Sequence, residues 1–216
     1  RGNSRSVEYS IIIEQIRNLI NKNYKEIVLT GVDLTSYGHD LDDKISLGQL
    51  IKKILNDAPE LNRLRLSSLD VAEIDPDLFD VIENESRLLP HIHLSLQAGD
   101  NMILKRMKRR HSRDDSINLI KKIRDLRPDV VFGSDFIAGF PTETEEMFQN
   151  TINLIKECNI TFLHVFPFSP RKGTPAARMP QVKGDIIKKR AEVLRQLAKK
   201  QITNYYKKVK DQKVSV

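Results

Sequence analysis

Apolar residues in this chain recur first at helical spacing and then in short β-rich runs, and the pair repeats five times. A helical stripe (Ile12, Ile13, Ile16, Leu19, Ile20) leads into Glu26–Thr30, which stops at Gly31. The same order returns as a helix over Leu47–Leu55 and a strand over Leu61–Ser67. It continues as Pro76–Glu83 with Ile92–Leu96, Ser112–Leu126 with Val130–Ile137, and Thr144–Glu157 with Thr161–Phe166. A last helix, Asp185 to Tyr206, carries Ile187, Ala191, Leu194, Ala198 and Ile202 on one stripe. Strict alternation leaves few folds. Each helix carries the chain back to the end where the previous strand began, so the strands run parallel, in an open sheet or a barrel.

Local signals sharpen the boundaries. Ser112-Arg-Asp-Asp115 and Thr142-Glu-Thr-Glu145 have the form of capping boxes, and Pro128 and Pro167 stand where an element should stop. Strand faces decide between sheet and barrel. A strand covered on both sides is apolar on both, yet here Arg63, Arg65 and Ser67 share a face. So do His91, His93, Ser95 and Gln97, and Asp135 lies opposite the face of Ser134. A barrel whose lumen holds a polar ligand fits better than a doubly wound sheet. In a barrel the ligand sits at the C-terminal ends of the strands. Those ends read Thr30-Gly-Val-Asp33, Ser67-Ser-Leu-Asp70, Gln97-Ala-Gly-Asp100, Ile137-Ala-Gly-Phe-Pro141 and Pro167-Phe-Ser-Pro170, all rich in Gly, Asp, Ser and Pro.

Charge adds a partner class. The net charge is +7, and from Lys183 to Lys213 eleven lysines and arginines face Asp185, Glu192 and Asp211, a local net of +8. A second cluster, Lys105, Arg106, Lys108, Arg109 and Arg110, sits shortly after a strand end with no acid between Asp100 and Asp114. Such asymmetry points to an anionic partner, nucleic acid first, against the plainer reading of a solvated Lys-rich face. No apolar run reaches the roughly 18–20 residues of a membrane span, and there is no signal-peptide pattern. The single cysteine, Cys158, allows no internal disulfide and fits a cytoplasmic setting.

Individual residues carry two readings each. His91-x-His93 places two imidazoles on one face, but no third ligand follows at a fixed spacing, so no metal site is expected. Asp33, Asp70 and Asp135 serve either as turn and cap residues or as partners for hydroxyl and amino groups of a ligand. Gly31, Gly99 and Gly139 either supply turn conformations or admit a flat ligand close to the backbone. No G-x-G-x-x-G or phosphate-binding loop occurs.

Five stretches together resemble the radical S-adenosylmethionine methylthiotransferases: EIVLTGVDLTSYG (26–38), LRLSSLD (64–70), HLSLQAGDNMILKRMKRRH (93–111), DFIAGFPTETEEMF (135–148) and FPFSPRKGTPAARMPQV (166–182). The resemblance is greatest to the enzymes acting on threonylcarbamoyladenosine in tRNA, and it covers essentially the whole chain. It implies an α/β fold, a partial (β/α) TIM-like radical-SAM barrel, that binds S-adenosylmethionine against a 4Fe-4S cluster and adds a methylthio group to carbon 2 of the modified adenosine beside the anticodon. By motif position it implies cofactor contacts from Thr30, Gly31, Asp33, Ser67, Gln97 and Asp135. Gly139 and Pro141 would shape the adenine side. Lys105, Arg106, Lys108, Arg109 and Arg110 would contact the backbone of a tRNA anticodon stem-loop.

The chain departs from the family pattern in one respect. The family holds its cluster with Cys-x-x-x-Cys-x-x-Cys, and only Cys158 is present here. The expectation is a barrel core, residues 1–182, lacking the first strand and cluster loop. A basic helix of the same core would follow over 183–207, and 208–216 would form the stub of an RNA-binding domain. Such a core would be inactive alone and would depend on a missing segment, for instance on a separate polypeptide. The alternative is a cluster-free module that binds tRNA or S-adenosylmethionine without catalysis.

Overall fold

The computed structural model describes residues 4–210 and 212. The expected features at residues 1–3 and over much of 208–216 lie outside them. Seven α-helices and five strands alternate among the described residues. No helix is long and apolar enough to cross a membrane. The chain divides into two compact units, Arg1–Leu94 with Leu119–Val130, and Ser95–Asn118 with Val131–Val216.

In the first unit, α1 (Tyr9–Asn21), β1 (Glu26–Leu29), α2 (Leu47–Asp57), β2 (Arg63–Leu66) and α3 (Pro76–Asn84) follow in order. β1 and β2 pair in parallel, with Glu26 opposite Arg63 and Leu29 opposite Leu66. Alternation sends Leu64 and Leu66 into a core with Leu47, Ile51, Ile54, Leu78 and Ile82. The opposite face carries charge, and it is neutralised: Arg65 Nε donates to Glu26 Oε1 at 2.8 Å, and Arg63 Nε lies 3.5 Å from Oε2. The expected polar face of Arg63 and Arg65 is thus a cross-strand ion-pair ladder. β3 (His91–Gln97) begins in this unit, where Leu94 bridges to Leu69.

One carboxylate joins two helix starts. Asp75 caps α3 by accepting from Leu78 N at 3.0 Å, and it also accepts from Ser46 Oγ at 3.0 Å and Gly48 N at 3.1 Å. Ser46 in turn caps α2 through a reciprocal box with Gln49.

The second unit holds a parallel sheet of order β3-β4-β5, to which β3 contributes Ser95–Gln97. β4 is Val131–Ala138 and β5 is Phe162–Pro167. Between β3 and β4 the chain forms α4 (Asn101–Arg106) and α5 (Arg113–Leu126); α6 (Glu145–Glu157) links β4 to β5, and α7 (Gly184–Val209) is the last helix among the described residues. Phe132 and Phe136 are fully buried on one face of β4, and Ala191, Leu194 and Ala198 carry the expected stripe of α7 inward.

Two expectations are corrected. The basic cluster does not follow β3 after a mere turn: α4 intervenes, capped by Asp100, which accepts from Met102 N at 2.9 Å and Ile103 N at 3.1 Å. Six residues are too short to show a helical period. The capping box at Ser112–Asp115 forms reciprocally, but the one at Thr142–Glu145 does not. Thr142 adopts φ +68° outside any helix, and Thr144 caps α6 by accepting from Met147 N at 3.2 Å. Glu143 is drawn elsewhere.

Glu143 is buried beneath α7. Its Oε2 accepts from Gly139 N at 2.9 Å and from Arg190 Nη1 at 2.9 Å, while Arg190 Nη1 also donates to the Glu143 carbonyl at 2.9 Å. Gly139 stands at φ +75°, and a Cβ there would meet Ile187 of α7 at 2.5 Å. The turn after β4 is therefore clamped by a helix that starts some forty residues later. Burial pushes the Glu143 carboxyl above its ordinary value, against the opposing pull of Arg190.

Asp75→Ala should destabilise the protein by about 2–3 kcal/mol in urea unfolding, because a cap is lost and two donors are stranded. Arg190→Met should cost about 3–5 kcal/mol, by leaving a buried carboxylate without its cation. The pH dependence has a definite sign. With a folded pKa above the ordinary 4.5, the folded state binds the Glu143 proton more tightly, so this group's contribution falls as pH rises from 4.5 through the folded value. Glu143→Gln should flatten that portion of the stability curve, read by thermal melts from acid to neutral pH.

Candidate cofactor site and basic rim

Four of the expected cofactor residues belong to the first unit. Thr30 and Gly31 follow β1 and line a cavity of about 300 Å³ together with Val28, Leu34 and Tyr37. A Cβ on Gly31 would make only ordinary contacts, the nearest at 3.6 Å to Leu34, so the fold itself does not require glycine there. Ser67 N continues the ladder by donating to Leu29 O at 3.0 Å. Its hydroxyl is buried and has no hydrogen-bond partner among the described residues. A buried hydroxyl left unpaired costs about 1–3 kcal/mol, and a polar ligand atom would recover it.

Asp33 is engaged in its own turn. Its two oxygens accept from Ser36 Oγ at 2.7 Å and Thr35 Oγ1 at 3.4 Å, and Glu73 accepts from the same hydroxyls at 3.3 and 3.1 Å. Asp70 caps the 3-10 turn at Val71–Glu73 by accepting from Ala72 N at 2.9 Å. A further anchor was not visible in the sequence. Ser6 N donates to Asp40 at 3.0 and 3.2 Å, Gly38 N donates to Ser6 Oγ at 2.9 Å, and the hydrogen bonds from Ser6 hold the Asp40 carboxyl below its ordinary value.

The other four lie in the second unit. Gln97 closes β3 at φ +67°, a left-handed conformation for a residue with a side chain, and it is 8% exposed. Its amide makes no hydrogen bond among the described residues. Strain of about 1–3 kcal/mol at such a position is a mark of a functional constraint. Asp135 pairs across the ladder with His164, whose Nδ1 lies 3.3 Å from Oδ1. Gly139 is held by Glu143 as described, and Pro141 beside it is buried.

Within the first unit the unsatisfied Ser67 hydroxyl could serve a ribose hydroxyl, and within the second the Gln97 amide and the Asp135 carboxylate could serve an amino group. They do not fit an iron–sulfur cluster. Cys158 is the chain's single cysteine, and it is buried at the C-cap of α6.

The basic residues flank the end of α4. Lys105, Lys108 and Arg110 are exposed, and Arg106 and Arg109 half-buried. Lys108 sits at φ +58° and returns its N–H to Lys105 O at 3.0 Å, while Arg109 N reaches Leu104 O at 2.9 Å. This is the left-handed helix ending usually given to glycine. The turn sets the cations around a groove of about 390 Å³ whose lining also includes Met107, Ile137 and Phe140.

Comparison with known proteins supplies the family. Residues 1–155 match the family described as the Radical SAM superfamily. The chain is 53% identical over all its length to threonylcarbamoyladenosine tRNA methylthiotransferase MtaB of Rickettsia prowazekii, covering 51% of that protein. It is 38% identical over 95% of its length to tRNA-2-methylthio-N(6)-dimethylallyladenosine synthase of Clostridium tetani, covering 46% of it. The chain thus spans about half the length of the curated relatives it matches. Coproporphyrinogen III oxidase of Escherichia coli, a radical SAM enzyme, superposes with a TM-score of 0.65 at 15% identity over 89% of this chain and 45% of its own. That likeness shows the α/β fold. Solved structures among the matches carry S-adenosylmethionine or a [4Fe-4S] cluster. On the match of residues 1–155, the chain belongs to the radical SAM superfamily.

Proposed function

We propose that this chain is the S-adenosylmethionine-binding core of a cytoplasmic tRNA methylthiotransferase whose substrate is N6-threonylcarbamoyladenosine beside the anticodon. The observation that carries this reading is the 53% identity over all 216 residues with an enzyme named for that substrate, against 38% for one named for dimethylallyladenosine. In this reading Thr30, Gly31, Asp33, Ser67, Gln97 and Asp135 are cofactor contacts, with Gly139 and Pro141 on the adenine side. When bound, S-adenosylmethionine supplies a methyl group and a hydrogen-abstracting radical. Asp135 orients His164, whose Nδ1 lies 3.3 Å from Oδ1. Lys105 to Arg110 and the basic face of α7 attract the tRNA backbone.

The cluster's thiolates must come from outside these residues, so the chain by itself does not complete the reaction. Anaerobic reconstitution with iron and sulfide should leave it without the visible absorbance of sulfide-bridged iron; a stable cluster on Cys158 would contradict this. The alternative, a binding module without catalysis, draws on the same lone cysteine. It predicts that supplying the missing cysteine segment restores no thiolation.

Two titrations test binding. Calorimetry should give saturable heat with S-adenosylmethionine, weakened about tenfold by Gln97→Ala; a silent wild-type titration would overturn the cofactor reading. An anticodon stem-loop should bind with a log–log salt slope of about −0.7 per contacted loop phosphate. The stem-loop bearing N6-threonylcarbamoyladenosine should be preferred over one bearing dimethylallyladenosine, and equal affinity would remove the substrate assignment.

A further inference from the structure

The groove at the end of α4 combines two surfaces that are seldom placed together. Its floor is apolar. Phe140 is 5% exposed and stands edge-on to Phe168 at 5.3 Å between centroids, and Met107 and Ile137 pack against the same cluster. Its rim is cationic, with Arg106, Lys108 and Arg109 and no acidic residue in the lining.

One feature of the rim is costly without a ligand: Arg106 Nη1 is buried and finds no hydrogen-bond partner among the described residues. Lys108 occupies a left-handed backbone position (φ +58°) that glycine would take without strain, and it sets a positive charge at that point.

We propose that this groove is a subsite for one unpaired nucleotide of RNA, its base laid on Phe140, Met107 and Ile137 and its phosphate held by Arg106, Lys108 and Arg109. The volume of about 390 Å³ lies at the lower end of the roughly 300–1,000 Å³ usual for small-ligand sites, enough for a single nucleotide and too confined for a duplex. The half-buried Met107 and Ile137, with the small exposed part of Phe140, give a base an apolar seat whatever its identity, and cations at its edge select a phosphate. S-adenosylmethionine brings one carboxylate to three cations but also a sulfonium and an ammonium that oppose them, so it matches the rim less well than a phosphate. An acidic peptide would satisfy the rim but leave the apolar floor unused. The inference rests on the tRNA reading above and specifies where the RNA is read.

The test uses the full chain, an RNA stem-loop with an unpaired loop, and adenosine 5′-monophosphate. Lys108→Gly removes the charge and the strain together. It should leave the thermal midpoint unchanged or raised, while weakening stem-loop binding about tenfold and lowering the salt slope by about 0.7. Ile137→Ser replaces half-buried apolar floor with a hydroxyl and should weaken binding about fivefold. A purely structural Lys108 would leave RNA binding untouched.

If the wild type binds the stem-loop and both variants match it, the subsite is overturned and the tRNA reading stands. If only adenosine 5′-monophosphate binds, and Lys108→Gly abolishes that, the subsite holds and the tRNA reading fails. Binding of neither probe overturns both. Competition by S-adenosylmethionine as strong as that by the monophosphate overturns the subsite and assigns the groove to the cofactor.

Discussion

Parallel pairing is the constraint from which the rest of this chain follows. A parallel ladder cannot be closed by a tight turn, so every strand must be followed by a crossover that returns the chain to its starting end. In consequence the strands of each sheet finish at the same edge, and their C-terminal residues are neighbours whatever their separation in sequence. Thr30 and Ser67 meet this way beside β1 and β2, and Ala138 and Pro167 beside β4 and β5. Residues at such ends are released from ladder and core together. That freedom lets Asp33 organise a turn, leaves Ser67 with an unspent hydroxyl, and permits Gln97 its left-handed bend.

The elements were legible because period and capping are local. The alternation from Ile12 to Ile202 gave every long helix and every strand to within a few residues. Ser112 and Asp115 behave as their spacing implies, since a capping box needs only the residues within it. What could not be read is what depends on a distant partner. Asp75 looks like a simple cap for α3, yet it also serves α2, 27 residues away through Gly48. Thr142 and Glu145 look like the two ends of a capping box, yet Thr142 stands at φ +68° and Glu145 accepts from Arg190, 45 residues on. Arg63 and Arg65 read as a polar lumen face until Glu26 is seen between them.

The candidate site was legible by resemblance more than by chemistry. Its positions follow from motif order, but the features that give them physical meaning are conformational: a positive φ at Gln97, another at Lys108, and an unpaired hydroxyl at Ser67. None has a sequence signature, because nothing in the identity of Gln or Lys announces a left-handed backbone. Strain of this kind shows only where the chain has folded around it.

The long reach of the Glu143–Arg190 pair has a consequence for synthesis. A nascent chain leaves the ribosome at about 5–20 residues per second, so the turn after β4 exists for seconds before its clamp emerges. Until α7 arrives, Gly139 has no Ile187 against it and Glu143 is an exposed carboxylate rather than a buried one. The sheet can assemble early, but the edge that would receive a ligand is the last part of the second unit to become rigid. In a newly made molecule the turn after β4 is thus clamped only when α7 docks.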